Sequence, residues 1–164
     1  MPVAAVADRR YKSVKRVILQ RVTSARVTIA GRVTGQIERG LLVLVSVEDA
    51  DTAADGEWLA QKLVKLRVFG DADGPMNLSV ADIAGGILLI SQFTLHASTL
   101  KGTRPSFNAA AKPEHAQPLY EQFIAQLSAV LGRPLATGEF GAMMDVALVN
   151  DGPVTIILDS KRRE

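Results

Sequence analysis

Residues 87–107, ILLISQFTLHASTLKGTRPSF, gather the side chains best suited to chemistry. Ile87 to Ile90 is a short apolar run of the kind that forms a buried strand. Ser91, Gln92 and Thr94 follow in quick succession, with Phe93 between them. Alternation along a strand predicts Gln92 and Thr94 on one face and Ser91 and Phe93 on the other. Lys101, Gly102, Thr103 and Arg104 then form a cationic loop. A buried strand that ends in hydroxyls and an amide, before a basic loop, suits an anionic substrate. A strand running into an ordinary surface loop explains the same spacing, and spacing alone favours that plainer account.

What is missing narrows the chemistry. There is no cysteine, which removes disulfides, thiolate nucleophiles and cysteine metal sites. The two histidines, His96 and His115, have no ligand spacing such as HxxxH. No dinucleotide fingerprint, phosphate-binding loop or nucleophile elbow is present. No aspartate is placed by sequence to orient a histidine base. An enzyme built from this chain has to act largely by positioning and by oriented backbone N–H groups.

A second stretch, Asn150-Asp151-Gly152-Pro153-Val154-Thr155, lies between two apolar segments. Pro after Gly predicts a turn, with an ordinary hairpin as the default. X-Pro is also the only bond that readily turns cis. A cis Gly-Pro would hold its carbonyls rigidly with no Cβ in the way, and could probe a small chiral centre by main chain alone.

The elements that position these residues follow from pattern. Val14 to Val22 reads as a strand, and Ala25 to Ile37 as a hairpin turning at Ala30-Gly31. Leu41 to Val47 is a continuous apolar strand, hence central. Asp51 or Thr52 caps a helix reaching Leu66, with Trp58, Leu59, Leu63 and Leu66 along one stripe. Trp58 is read as a packing residue. Val68-Phe69 is a short strand, and Asp71 to Gly74 a turn whose carboxylates form the turn rather than bind metal. A second helix lies within Pro113–Leu131, with Leu119, Phe123, Leu127 and Val130 on one face, ended by Gly132 and Pro134. Pro118 marks either its first turn or a kink. Residues 145–149 and 154–158 are two further strands. The class is α+β: a curved, mostly antiparallel, barrel-like sheet with two main helices.

The 164 residues make one domain with a real core. The first sixteen carry five of the nineteen Lys/Arg and one of the seventeen Asp/Glu, leaving fourteen against sixteen, a net of −2. The basic pI of about 9.1 therefore comes from the ends. A mildly acidic body is not one that coats duplex nucleic acid with a basic face. Lys101, Arg104 and Lys112 are the only internal basic cluster, and solvated loop charge accounts for them equally well. Residues 1–13 read as a disordered leader, 14–160 as the domain and 161–164 as a basic tail. No apolar run is long enough for a membrane span.

Ser91-Gln92-Phe93-Thr94-Leu95 with Asn150-Asp151-Gly152-Pro153-Val154-Thr155 resembles the paired signature of the D-aminoacyl-tRNA deacylases. Gln20-Arg21-Val22 with Ala25, Gly40 to Val43, Met76 to Ser79, Lys101-Gly102 through Phe107, Glu139 to Ala142 with Met144, and Leu158 to Ser160 resemble that family in order and spacing. The likeness covers residues 14 to about 160. It implies a cytoplasmic homodimer that hydrolyses the ester joining a D-amino acid, or glycine, to the 3′-adenosine of tRNA, with no cofactor and no metal. Gly152 and Pro153 would be the chiral gate, reaching from one subunit into the other's pocket. Ser91, Gln92, Phe93 and Thr94 would form the catalytic wall, with the Phe93 and Thr94 N–H groups as oxyanion donors. Phe140, Gly141 and Met144 would shape the adenosine end, and Lys101 and Arg104 would meet tRNA phosphate. The ribose 2′-OH activates such an ester, so no histidine base is required. His96 and Ser98 depart from the residues common in the family.

Two alternatives stay open at this level: a paralogue directed at L-alanyl-tRNA, and a non-catalytic module binding nucleic-acid 3′ ends. A serine hydrolase built on Ser91 is disfavoured, since no base is positioned for it. Deleting residues 1–13 separates catalyst from binder. A deacylase keeps its turnover, whereas a binder relying on basic termini loses affinity in a filter-binding titration.

Overall fold

The computed structural model describes residues 15–163. The leader expected over residues 1–13 lies outside them. The chain runs β1 (Arg16–Ile29), β2 (Arg32–Ile37), β3 (Gly40–Ser46), α1 (Ala53–Lys65), β4 (Phe69–Gly70), β5 (Met76–Leu78), β6 (Gly86–Ser91), a 3₁₀ turn (Phe93–His96), α2 (Pro113–Leu131), β7 (Ala136–Thr137) and β8 (Asp145–Asp159). Six strands form one sheet in the order β2-β1-β3-β6-β7, with β8 on β1. Antiparallel pairings outnumber parallel ones three to two, because β3–β6 and β6–β7 are parallel. The sheet curls until its ends nearly meet: a Cβ on Gly35 of β2 would lie 2.6 Å from the Thr137 carbonyl of β7. Only glycine permits that approach.

β3 and β6 explain why their sequences are unbroken apolar runs. Leu41, Val43, Val45, Ile87 and Leu89 face a core shared with both helices. Leu42, Leu88 and Ile90 face a second core inside the curl, with Val22, Ala25 and Val27 of β1. A strand buried on both faces has no polar side to alternate. The helices deliver Leu59, Leu63, Tyr120, Phe123 and Leu127 to the first core. Trp58 and Val130 pack at its margin, so the apolar stripes expected from sequence are rotated slightly from the observed ones.

Three expectations about elements are corrected. Residues 145–149 and 154–158 are not two strands of a hairpin but one strand, β8, paired with β1 from Thr28↔Asp145 to Arg16↔Asp159. Val14–Val22 and Ala25–Ile37 do not divide at residue 23. β1 continues to Ile29, because β8 supplies a ladder along its whole length, and the chain turns at Ala30-Gly31 as expected. Pro118 does not mark the first turn of α2 but lies inside the helix. α2 begins at Pro113 and runs through it to Gly132, which caps the end with a positive φ.

Lys15, just before β1, is fully buried. Its N–H donates to Ser160 Oγ (3.2 Å), its carbonyl accepts from Ser160 N–H (3.1 Å), and its ammonium lies 4.7 Å from the Phe123 ring centre. Burial pulls the amine down to about 8, against the attraction of Asp51 and Asp55. Burial likewise pushes Asp51 up to about 6. The tail is engaged as well: Lys161 Nζ sits 2.9 Å from Asp55, and the Arg163 guanidinium 4.4 Å from the Trp58 ring centre. Among the described residues no helix is long and apolar enough to cross a membrane.

The depressed Lys15 amine has a testable consequence. Between about pH 8 and the ordinary lysine range, the unfolded chain holds a proton that the folded chain has shed, so stability rises with pH there. The slope is at most about 1.4 kcal/mol per pH unit. Urea unfolding at pH 8 to 10 should show this rise in the wild type and lose it in Lys15→Met.

Candidate active site

β3 and β6 run parallel, with Val45 opposite Ser91, so both end at the same edge of the sheet. The crevice beyond the carboxyl ends of parallel strands is a favoured place for ligands. A cavity of about 340 Å³ opens there. Its walls are the ends of the two strands (Val45, Ser46, Ser91, Gln92), the residue that follows (Phe93), Phe107, the start of α2 with Tyr120, and Phe140-Gly141. Aromatic rings flank it in two pairs. Phe93 and Phe107 meet edge to face at 5.2 Å, and Tyr120 and Phe140 lie 5.7 Å apart. The Tyr120 hydroxyl donates to the Leu89 carbonyl at 3.3 Å, and burial pushes its phenol up to about 12, keeping it neutral. A mostly apolar slot of this size, ringed by π-faces and closed by a polar wall, accepts a flat base or an aromatic side chain.

The polar wall is built by a change of backbone. β6 stops at Ser91, and Phe93–His96 winds into a 3₁₀ turn, so strand alternation does not extend to Thr94. Gln92 holds the junction. Its N–H donates to the Val45 carbonyl at 2.7 Å, and its side-chain amide to Thr94 Oγ1 at 2.6 Å. Leu95 N–H closes the turn onto the Gln92 carbonyl at 3.2 Å. Among the described residues, the Phe93 and Thr94 N–H groups have no backbone acceptor, as expected for the first N–H groups of a helical turn. Phe93 is 57% exposed, so its ring covers the cavity rather than filling the core.

Under this turn lies a polar cluster that sequence reading missed. His96 is buried, with Nδ1 2.5 Å from Ser46 Oγ and Nε2 3.5 Å from Glu48 Oε1. Ser46 Oγ also lies 3.3 Å from the Phe93 carbonyl, to which it can donate. A glutamate, not an aspartate, therefore faces a histidine here. The one signal in the sequence was Ser46 itself, a lone hydroxyl inside the apolar run Leu41–Val47.

The Gly152-Pro153 peptide is cis, with Gly152 at a φ of 131°. Five residue steps on β8, Asn150 to Thr155, answer only two on β1, Val22 to Gln20, so the corner bulges from the sheet. Asn150 closes its base: its side-chain carbonyl accepts from Val154 N–H (3.0 Å), and its amide reaches Thr155 Oγ1 (3.1 Å). Arg21 braces it from β1, donating to the Asp151 carbonyl at 3.0 Å and the Val68 carbonyl at 2.6 Å. Gly152 and Pro153 are exposed, and neither lines this chain's own cavity.

The structure thus brings Ser91, Gln92, Phe93, Phe140 and Gly141 around one cavity, with Thr94 tied to Gln92 beside it. Met144 is elsewhere: it packs into the second core, where a Cβ on Gly138 would strike its sulfur. Lys101 and Arg104 are exposed in a loop closed by the Ser98–Ser106 pairing, outside the cavity wall. Lys112 serves as the N-cap of α2.

Comparison with known proteins identifies the family. A family model described as D-Tyr-tRNA(Tyr) deacylase matches residues 18–159. A D-aminoacyl-tRNA deacylase of Opitutus terrae is 61% identical over 149 residues, 91% of this chain and 99% of the relative. Its counterpart in Flavobacterium johnsoniae is 56% identical over the same shares. Among solved structures, a c-Myc DNA unwinding element binding protein superposes with a TM-score of 0.81 at 40% identity, covering 87% of this chain and 97% of the other. A probable eukaryotic D-amino acid tRNA deacylase shares the fold, with a TM-score of 0.79 at 17% identity over 89% and 99%.

Arg21 offers the cleanest structural test. Replacing it with Met strips two carbonyls of a charged donor, so unfolding free energy in urea should fall by about 1–3 kcal/mol. Hydrogen exchange should quicken at Val154 while that of β3 is unchanged. Equal stability and exchange would show that the corner stands without its brace.

Proposed function

The chain belongs to the D-aminoacyl-tRNA deacylase family and is a hydrolase acting on D-aminoacyl-tRNA, and from that premise we propose how its site reads handedness. The observation that carries this proposal is the position of Gly152-Pro153: exposed, protruding, and absent from the cavity of its own chain. A gate of this kind serves a pocket only if a second copy supplies it. The working unit is then a homodimer in which each corner closes the partner's cavity. Val149 and Ile157, 56% and 65% exposed along β8, are the apolar surface such pairing would cover.

In this arrangement the terminal adenosine enters between the aromatic pairs, with Phe140 and Gly141 at its edge. The ester carbonyl turns toward the Phe93 and Thr94 N–H groups, which stabilise the oxyanion as it forms. Water adds to the carbonyl carbon, the bond to the ribose 3′-oxygen breaks, and a proton from that water passes to the departing ribose with help from its 2′-OH. The products are a free D-amino acid and tRNA. Thr94 Oγ1, held by Gln92, orients the ester rather than attacking it, since the partner it has is an amide N–H donor and not a base that could take its proton. The main-chain corner rejects an L side chain by collision. A hydrogen occupies that place in a D-amino acid or in glycine, so glycyl-tRNA is also a substrate. Substrates of this kind place the enzyme in the cytoplasm, where tRNA is charged and used. Lys101 and Arg104, exposed on the loop after the turn, supply cations for the acceptor stem.

Matched D- and L-tyrosyl-tRNA provide the test. D-tyrosyl- and glycyl-tRNA should be hydrolysed, and the L ester at least about 100-fold more slowly, a ratio steric exclusion by fixed groups can supply. Thr94→Ala should lose rate yet keep measurable turnover. A trapped acyl-Thr94 adduct, together with an inert Thr94→Ala, would make Thr94 the nucleophile instead.

A further inference from the structure

Ser46, His96 and Glu48 have no place in the mechanism above, yet they lie directly beneath its oxyanion donors. We propose that they form a buried relay that sets the orientation and polarity of the Phe93–Thr94 peptide, and are positioning residues for ester hydrolysis. The inference rests on the reading that Thr94 N–H faces the developing oxyanion.

The contacts run in one line. Glu48 Oε1 lies 3.5 Å from His96 Nε2, Nδ1 lies 2.5 Å from Ser46 Oγ, and Ser46 Oγ lies 3.3 Å from the Phe93 carbonyl oxygen. A carboxylate beside Nε2 favours a proton on that nitrogen. The relay assigns the ring a proton on Nδ1 as well, which donates to Ser46 and leaves the single hydroxyl hydrogen for the Phe93 carbonyl; with Nδ1 bare, that hydrogen goes to the ring instead. That carbonyl and the Thr94 N–H belong to the same peptide unit. A donor on the oxygen draws electron density from the nitrogen, makes the N–H a stronger donor, and fixes the plane in which it points.

The turn is held from the other side too. The Arg16 guanidinium donates to the Leu95 carbonyl at 2.8 Å and lies 3.7 Å from Asp159 of β8. The Phe93–Thr94 peptide is thus carried on a turn tied at both ends, and Ser46 adds a side-chain donor at its carbonyl. Ser46 is 2% exposed, so it acts through the peptide and does not itself attack.

Ser46→Ala keeps the volume and removes the hydroxyl, while His96→Leu removes both ring nitrogens and His96→Gln keeps an amide that can reach Ser46. On D-tyrosyl-tRNA in single turnover, Ser46→Ala and His96→Leu should each slow hydrolysis about tenfold, less than the direct loss of an oxyanion donor. KM, and the affinity for a non-hydrolysable 3′-amide analogue of D-tyrosyl-adenosine, should stay within about twofold, since a donor used only in the transition state leaves ground-state binding alone. The double variant should be no slower than either single one, as members of one relay are not additive, and His96→Gln should recover most of the rate. Wild-type rates in Ser46→Ala, or losses that fall on KM and add in the double variant, overturn the relay. Labelling of Ser46 by a fluorophosphonate also overturns it. Gln92→Ala in the same assay keeps the two claims apart. If it slows hydrolysis and Ser46→Ala does not, only the relay fails. If neither does, or the wild type leaves D-tyrosyl-tRNA intact, the reading of the site fails with it.

Discussion

The hydrogen-bond ladder of β1 is the constraint on which the rest depends. One edge of β1 pairs first with β3 and then with β2, while the other pairs with β8 from end to end. β3 positions β6 and hence the polar wall. β8 carries the Gly-Pro corner. The two chemical motifs are about sixty residues apart in sequence, and one strand references both to a common frame. Backbone ladders are stiff and have a discrete register, so neither motif can drift relative to the other without a register slip.

Within that frame the cavity and the corner present main chain where many hydrolases present side chains. The cavity wall offers N–H groups exposed by the switch from strand to 3₁₀ turn, and the corner offers carbonyls with no Cβ beside them. Side chains mostly hold these backbone groups in place: Gln92 at the turn, Arg21 and Asn150 at the corner, Ser46 beneath Phe93. This suits a substrate whose ester is already reactive. What such an enzyme adds is geometry, and preorganised dipoles supply it without reorganisation during the reaction.

Burial divides the charged groups into two kinds. Lys15, Asp51 and Asp55 sit where β1, α1 and the chain's end converge: burial lowers the Lys15 amine and raises the Asp51 carboxyl, whereas at Asp55 burial is outweighed by hydrogen bonds from Lys161 and Thr52, which hold it below its usual range. Lys15 and Asp55 tie the C-terminal segment to the starts of β1 and α1, while Asp51 accepts from the Glu48 N–H at 2.6 Å. His96 and Glu48 are placed differently, directly under the turn, where a change in hydrogen bonding reaches the peptide at the site.

The sequence by itself determined most of the strands, both helix spans within a few residues, the two motifs and their family. Those depend on local periodicity, caps and short-range spacing, which a linear string carries. The tertiary structure alone decided that residues 145–159 are one strand, because a proline after glycine reads as a reversal unless a partner strand carries the ladder past it. It alone separated Met144 from Phe140 and Gly141, since four residues of chain suffice to cross from one face of the sheet to the other. It alone joined Ser46 to His96, fifty residues apart, because a parallel β3–β6 pairing brings two strand ends to one edge, and no local pattern records which strands will pair.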